Sequence, residues 1–182
     1  MQIGIFLANG FEEVEALTTV DLLRRAGIEV TIISIHDEPL AEGAHSIKVA
    51  TDVSIGQIDG MEFDGLVLPG GMPGTLHLQE NETVCRMVKE YHAKGRLIAS
   101  ICAAPTVFGY LGLLEGKDAT CYPGMEDGLV GANHKTDSVV EDGNIITSRG
   151  IGTAIDFSAA IIRYLLKDDT DKKLMEQIVY NK

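Results

Sequence analysis

Short apolar runs alternate along this chain with stretches whose apolar residues recur at helical spacing. Residues 3–8 form an apolar run closed by Asn9-Gly10, the pattern of a buried strand. Residues 12–26 carry helical periodicity and stop at Gly27, a residue type that accepts the left-handed turn ending a helix. Residues 28–35 are dense in β-branched side chains and predict a second strand. Pro39, Gly43, Gly56 and Gly60 punctuate the next segment, which reads as loop with short strands. Residues 63–68 predict a third strand, closed by Pro69-Gly70-Gly71, and residues 83–94 a helix ending at Gly95. Residues 97–101 predict a fourth strand, followed by a helix over 103–114. Residues 118–148 hold short strands, the clearest at 144–148. A helix over 152–166 and a polar helix over 168–180 finish the chain, without repeats or low-complexity tracts.

Strand–helix–strand alternation of this kind specifies an α/β fold: a mostly parallel central sheet with helices on both faces, a three-layer sandwich. The length of 182 residues fits one domain spanning 1–182. In such sheets the working site lies beyond the carboxyl ends of the strands. Chemistry is therefore expected in residues 8–15, 69–74, 102–105 and 148–153.

Composition narrows the function classes. Apolar residues make up 45% and charged residues 23%, as in ordinary globular proteins. Fifteen Lys and Arg against 27 Asp and Glu give a net charge of −12, which opposes binding to nucleic acid or an anionic membrane surface. Aromatics are only 5% and Trp is absent, so no stacking platform for single-stranded nucleic acid is expected. Cys85, Cys102 and Cys121 form no C-x-x-C pair, a usage that fits reduced thiols in the cytoplasm. The first residues lack the pattern of a signal peptide. Residues 97–114 lack charge, but Ser100, Pro105, Gly109 and Gly112 make a strand and a helix the better reading than a membrane span.

Cys102 is the leading candidate for chemistry. It sits where a predicted strand gives way to a predicted helix, in Ser100-Ile101-Cys102-Ala103-Ala104-Pro105. Small neighbours permit a tight turn that lifts a nucleophile above the sheet, and a helix start favours a thiolate. The competing reading is a cysteine packed as a small hydrophobe. None of the five histidines neighbours Cys102 in sequence or follows a metal-ligand spacing, so no metal is expected. Glu12, Glu13 and Glu15 follow the first strand. At 100° per residue, Ala16, Val20, Leu23 and Ala26 share an arc of about 120° that should face the sheet. Glu15 falls at the edge of that arc and Glu13 is expected to point away from it. Desolvation at that edge would raise the Glu15 pKa, leaving a neutral donor to a thiolate. The glycines after the third strand allow backbone N–H groups to cradle an oxyanion, with a plain turn as the competing reading. Arg149, in Ser148-Arg149-Gly150-Ile151-Gly152-Thr153, is suited to hold a carboxylate; a structural ion pair is the commoner fate of such an arginine.

Four segments in register, 8–15, 67–71, 99–105 and 147–153, resemble the ThiJ/PfpI superfamily and, more closely, its DJ-one branch, typified by the parkinsonism-associated protein deglycase. The resemblance runs from about residue 2 to 167. It implies a flavodoxin-like fold and a homodimer. It also implies an oxidisable Cys102, a protonated Glu15 bonded to it, and backbone donors at Gly71 and Ala103. His45 falls loosely where some members place a basic residue near the dimer cleft. Peptidase-like members carry His directly after the cysteine; here Ala103 stands there, which argues against proteolysis. Some branch members have His before the Pro now at 123; here it is Tyr122. The implied activity is cofactor-free conversion of small reactive α-oxoaldehydes, methylglyoxal to lactate, of glyoxalase or deglycase type. The alternative is a non-catalytic redox-sensing stress protein or chaperone built on the same cysteine.

Overall fold

The computed structural model describes residues 1–180 and forms an α/β sandwich. The main sheet uses seven strands: β1 (Gln2–Leu7), β2 (Glu29–Ser34), β5 (Val53–Ser54), β6 (Gly65–Leu68), β7 (Leu97–Ile101), β10 (Val139–Asp142) and β11 (Ile145–Ser148). Their spatial order is β10-β11-β7-β6-β1-β2-β5, and every pairing is parallel except the β10–β11 hairpin. Two small ribbons lie outside it: β3 (Leu40–Glu42) with β4 (Lys48–Ala50), and β8 (Asp118–Ala119) with β9 (Asn133–His134).

The strands are apolar on both faces because both faces are covered. In β1, Ile3, Ile5 and Leu7 enter one core while Phe6, with Ala8 just beyond the strand, enters the other. The first core is completed by α1 (Glu13–Arg25), α5 (Ala154–Leu166) and α6 (Thr170–Gln177), through Leu23, Phe157, Ile161 and Leu174. The second is completed by α2 (Gly74–Glu80), α3 (Glu82–Ala93) and α4 (Pro105–Tyr110), through Leu78, Val84, Val88 and Phe108.

Two elements depart from the sequence pattern. The helix expected over 103–114 is confined to Pro105–Tyr110, because Leu111 caps it and Gly112 turns to a φ of +71°. Helix α2 was masked in the sequence by Met72-Pro73-Gly74, whose punctuation reads as loop although Pro73 only precedes the first turn. Among the described residues, no helix is long and apolar enough to cross a membrane, and residues 97–114 divide between β7 and α4.

Chain direction switches at β1. The chain first steps outward to β2 and β5, then returns to place β6 on the other side of β1. A crevice opens at the carboxyl ends of strands at such a switch. The loops after β1 and β6 cross there in close contact: Glu12 N donates to Gly70 O at 2.9 Å, and Gly74 N donates to Gly10 O at 3.2 Å. Gly10 has a φ of +88°, and a Cβ there would lie 2.5 Å from Pro73 Cδ. Gly27 has a φ of +79° but open space around it. Gly27→Ala should therefore cost about 1 kcal/mol, the backbone effect alone. Gly10→Ala should cost clearly more, about 3 kcal/mol, because the crossing loops must also separate. Urea denaturation of the two variants measures the difference.

Candidate active site

Cys102 occupies the turn between β7 and α4 with a φ of +66°, a conformation rare for a residue bearing a Cβ. Two backbone bonds hold it there. Its N–H donates to Ser148 O at 2.9 Å, and its carbonyl accepts from Tyr122 N–H at 2.8 Å. The side chain is half-buried at the mouth of the crevice, within reach of the Gly71 and Ala103 N–H groups. Cys121, by contrast, is buried in the second core, and Cys85 lies on α3.

Glu15 comes from the first turn of α1 and is fully buried. Its Oε2 accepts from Gly70 N–H at 3.0 Å, while Oε1 is enclosed with no partner among the described residues. The Glu15 and Cys102 side chains lie within hydrogen-bonding reach of each other. Gly70 makes this possible: a Cβ there would stand 2.5 Å from Cys102 Cβ and 2.7 Å from Glu15 Oε2.

Burial pushes the Glu15 carboxyl up to about 7; its bonds to Cys102 and Gly70 work against the rise, and the Glu12 charge adds to it. The helix-start argument predicts a depressed thiol, but burial dominates at Cys102. With the Glu15 charge and hydrogen bond adding to it, burial pushes the thiol up to about 12, against the downward pull of the Gly71 and Ala103 N–H groups. Both groups therefore hold on to protons, and they titrate as one unit. Moving a proton from Sγ to Glu15 gives a thiolate beside a neutral acid, which removes the charge repulsion that opposes the thiolate.

The expectation that Glu13 points away from the core is not met. Glu13 is 3% exposed, on the other edge of the apolar arc from Glu15. Its Oε1 accepts from His45 N–H at 2.7 Å and its Oε2 meets His45 Nδ1 at 2.8 Å. Burial works to raise this carboxyl, yet the His45 bonds leave it below its ordinary value, and the exposed His45 ring is raised in return by Glu13. Glu12, Glu13 and His45 place three donor atoms within 4.8 Å of one another. Both Glu13 oxygens already serve His45, so the group is a satisfied ion pair rather than an open metal site. His45 thus bonds Glu13, not Glu15 or Cys102.

Cys102, Glu15, Gly71, Ala103, Tyr122 and Arg149 all border one cavity of about 780 Å³. Tyr122 is half-exposed there, and a Cβ on Gly150 would lie 3.4 Å from its Cδ2. The commoner fate of Arg149 is not realised: among the described residues it forms no ion pair, and its Nη1 donates instead to Thr136 O at 3.1 Å. Thr153 was missed by sequence reasoning. Its Oγ1 accepts from Arg149 N–H at 3.2 Å and Gly150 N–H at 3.1 Å and meets Ser148 Oγ at 2.7 Å, fixing the loop after β11. A threonine three residues after a glycine and just before a helix was the available signal. Glu12, 8% exposed, also borders the cavity.

This arrangement, a cysteine on a strained strand–helix turn beside a buried carboxyl at the switch point, comes with a family. The chain belongs to the DJ-1/PfpI family, whose profile matches residues 1–164. It is 40% identical over 163 residues to Drosophila melanogaster protein dj-1beta, covering 88% of this chain and 87% of that one. The crystal structure of Drosophila DJ-1beta superposes with a TM-score of 0.95 at 36% identity, covering 100% of this chain and 98% of that one. A protein named deglycase from Pyrococcus horikoshii is 34% identical over 152 residues, 82% of this chain and 90% of its own. Arabidopsis thaliana DJ-1 homolog B is 42% identical over 162 residues, 88% of this chain, but the match spans only 37% of that longer protein.

The raised Glu15 carboxyl has a pH signature. A group raised from 4.5 to about 7 on folding leaves stability intact below 4.5 and removes it progressively as pH rises through 7. The rise corresponds to about 3 kcal/mol. Glu15→Gln, neutral at every pH, should match the parent near pH 4 and exceed it by up to about 3 kcal/mol at pH 8. Denaturation at both pH values checks this, and equal stability differences at the two would show that Glu15 titrates normally.

Proposed function

We propose that this chain is a cofactor-independent cysteine enzyme that converts small α-oxoaldehydes such as methylglyoxal to 2-hydroxy acids. The observation that carries the reading is the unpartnered Glu15 Oε1, fully buried beside Cys102 at the edge of a cavity. An enclosed carboxylate oxygen without a donor is costly, whereas one that exchanges a proton with the thiol and then with a substrate has a use. The deglycase name of the Pyrococcus relative supports an enzyme of this general kind.

The chemistry balances without an added redox partner. The Cys102 thiolate adds to the aldehyde carbon, and the N–H groups of Gly71 and Ala103 hold the resulting oxyanion, which takes the proton stored on Glu15. The Glu15 carboxylate then removes the hydrogen on that carbon and returns it to the neighbouring carbon through an ene-diol, while the hydroxyl proton of the first carbon passes to the neighbouring oxygen. The first carbon is thereby oxidised to a thioester and the second reduced to an alcohol. Water cleaves the thioester, which frees the 2-hydroxy acid and restores the thiol.

The same thiol supports the second reading, a redox sensor. A half-buried cysteine at the cavity mouth with two N–H donors beside it would also hold a sulfinate. We further propose a homodimer. Val14 and Leu17 on α1 and Ile47 beyond β3 are exposed apolar residues flanking the His45–Glu13 pair, and a second copy would cover them. The reduced cytoplasm suits a working free thiol.

Purified protein given methylglyoxal should release lactate, and Cys102→Ser should abolish this. Glu15→Gln should lower turnover by ~10²-fold or more while leaving Cys102 open to alkylation, because it removes the base but not the donor. No lactate from the parent, together with a sulfinate forming at Cys102 under mild peroxide, would favour the sensor. Sedimentation should give twice the mass of the 182-residue chain; a monomer would remove the dimer proposal.

A further inference from the structure

Arg149 has no part in the mechanism above, yet its surroundings are unusual for a half-buried cation. It follows β11, and β11 pairs with β7 in the register Ser148↔Ile101, so Arg149 and Cys102 are the next residues along two adjacent strands. Their backbones are about one strand spacing apart, ~5 Å. The guanidinium is tied at one point only, Nη1 to Thr136 O at 3.1 Å. Its Nε is shielded from water and has no acceptor among the described residues. Its charge also reaches the half-buried Glu126, whose Oε1 already accepts from Gly124 N–H at 2.9 Å. The remaining cavity wall near it is largely apolar, including Met125, Pro123 and Ile151.

A guanidinium that no acid bonds among the described residues, in a chain carrying −12, is open to an external anion. Its Nη2 has no acceptor among the described residues and, unlike Nε, is not shielded, so it is left to bond a carboxylate oxygen from outside. The acids of the cavity, Glu12 and Glu15, lie on the β1 side of Cys102, whereas Arg149 lies on the β11 side. A ligand spanning Cys102 therefore meets a proton-handling carboxyl at one side and a fixed positive charge at the other.

We propose that Arg149 anchors a carboxylate on the substrate, so that the preferred substrates are carbonyl compounds bearing a carboxylate a short chain from the reactive aldehyde. The inference rests on Cys102 being the nucleophile, and it makes Arg149 a specificity-determining residue for that reaction. A neutral aldehyde such as methylglyoxal would still react, but without this contact.

The test separates the two ideas because it needs no turnover. Cys102 is alkylated with the anions iodoacetate and N-iodoacetylglycine, and with their neutral counterparts iodoacetamide and N-iodoacetylglycinamide. In each case a carbon–sulfur bond forms at the methylene and iodide leaves with the bonding pair. At least one anion should react with saturation in the parent. Its rate relative to the neutral counterpart should fall about tenfold or more in Arg149→Met. Arg149→Lys, which keeps the charge and loses the planar guanidinium, should fall less. Using a rate ratio within one protein removes any general loss of folding from the comparison. An anion-to-neutral ratio that is the same in parent and Arg149→Met overturns the anchor while leaving the nucleophile standing. Failure of all four reagents to modify Cys102 overturns both.

Discussion

The site depends on how closely three stretches of backbone approach one another at Gly70. Helix α1 supplies Glu15, the loop after β6 supplies Gly70 and Gly71, and the turn after β7 supplies Cys102. They meet only because position 70 lacks a Cβ, which would fall 2.5 Å from the cysteine and 2.7 Å from the carboxyl. The parallel sheet brings the three strand ends to one level, and the glycine closes the last few ångströms. A methyl group at 70 would press on the cysteine, the carboxyl and the Ile101 carbonyl at once.

Burial and function pull in opposite directions here. Desolvation is the leading cause of the upward shift at both Glu15 and Cys102, so the protein would hold both neutral if nothing else acted. The N–H groups of Gly70, Gly71 and Ala103 supply the compensation, and each can do so because its peptide sits on a turn rather than in a ladder. The result is a pair in which a proton has two places to sit. Glu13, three per cent exposed, shows the opposite solution: His45 satisfies both oxygens, and its carboxyl falls below the ordinary range. Two buried acids two residues apart on one helix are thus tuned in opposite senses by what faces them.

Much of this was legible in the chain. The succession of apolar runs pointed to the parallel sheet because strands covered on both faces carry few polar interruptions, as β6 illustrates. The turn at Cys102 was legible from the small residues around it, and Glu15 from its place at the edge of the α1 arc. Helix α2 was hidden because proline and glycine at 73 and 74 mark loops and helix starts alike. The burial of Glu13 was hidden because it depends on a hairpin thirty residues away: a Cβ at Gly43 would overlap its carboxyl, so the hairpin backbone lies directly over it. No periodicity reports such a contact. Arg149 was read as an arginine of the kind that usually finds an acid, and only the three-dimensional arrangement shows that none is supplied.

The left-handed turn at Cys102 carries its own implication. A residue with a Cβ in that conformation is about 1 kcal/mol less comfortable than glycine would be, and Ser148 and Tyr122 hold its peptide from both sides. The fold would be content with glycine at 102. Thermal robustness and reactivity are therefore set against each other at a single position, and random mutation selected only for heat resistance would drift toward an inert protein with the same shape.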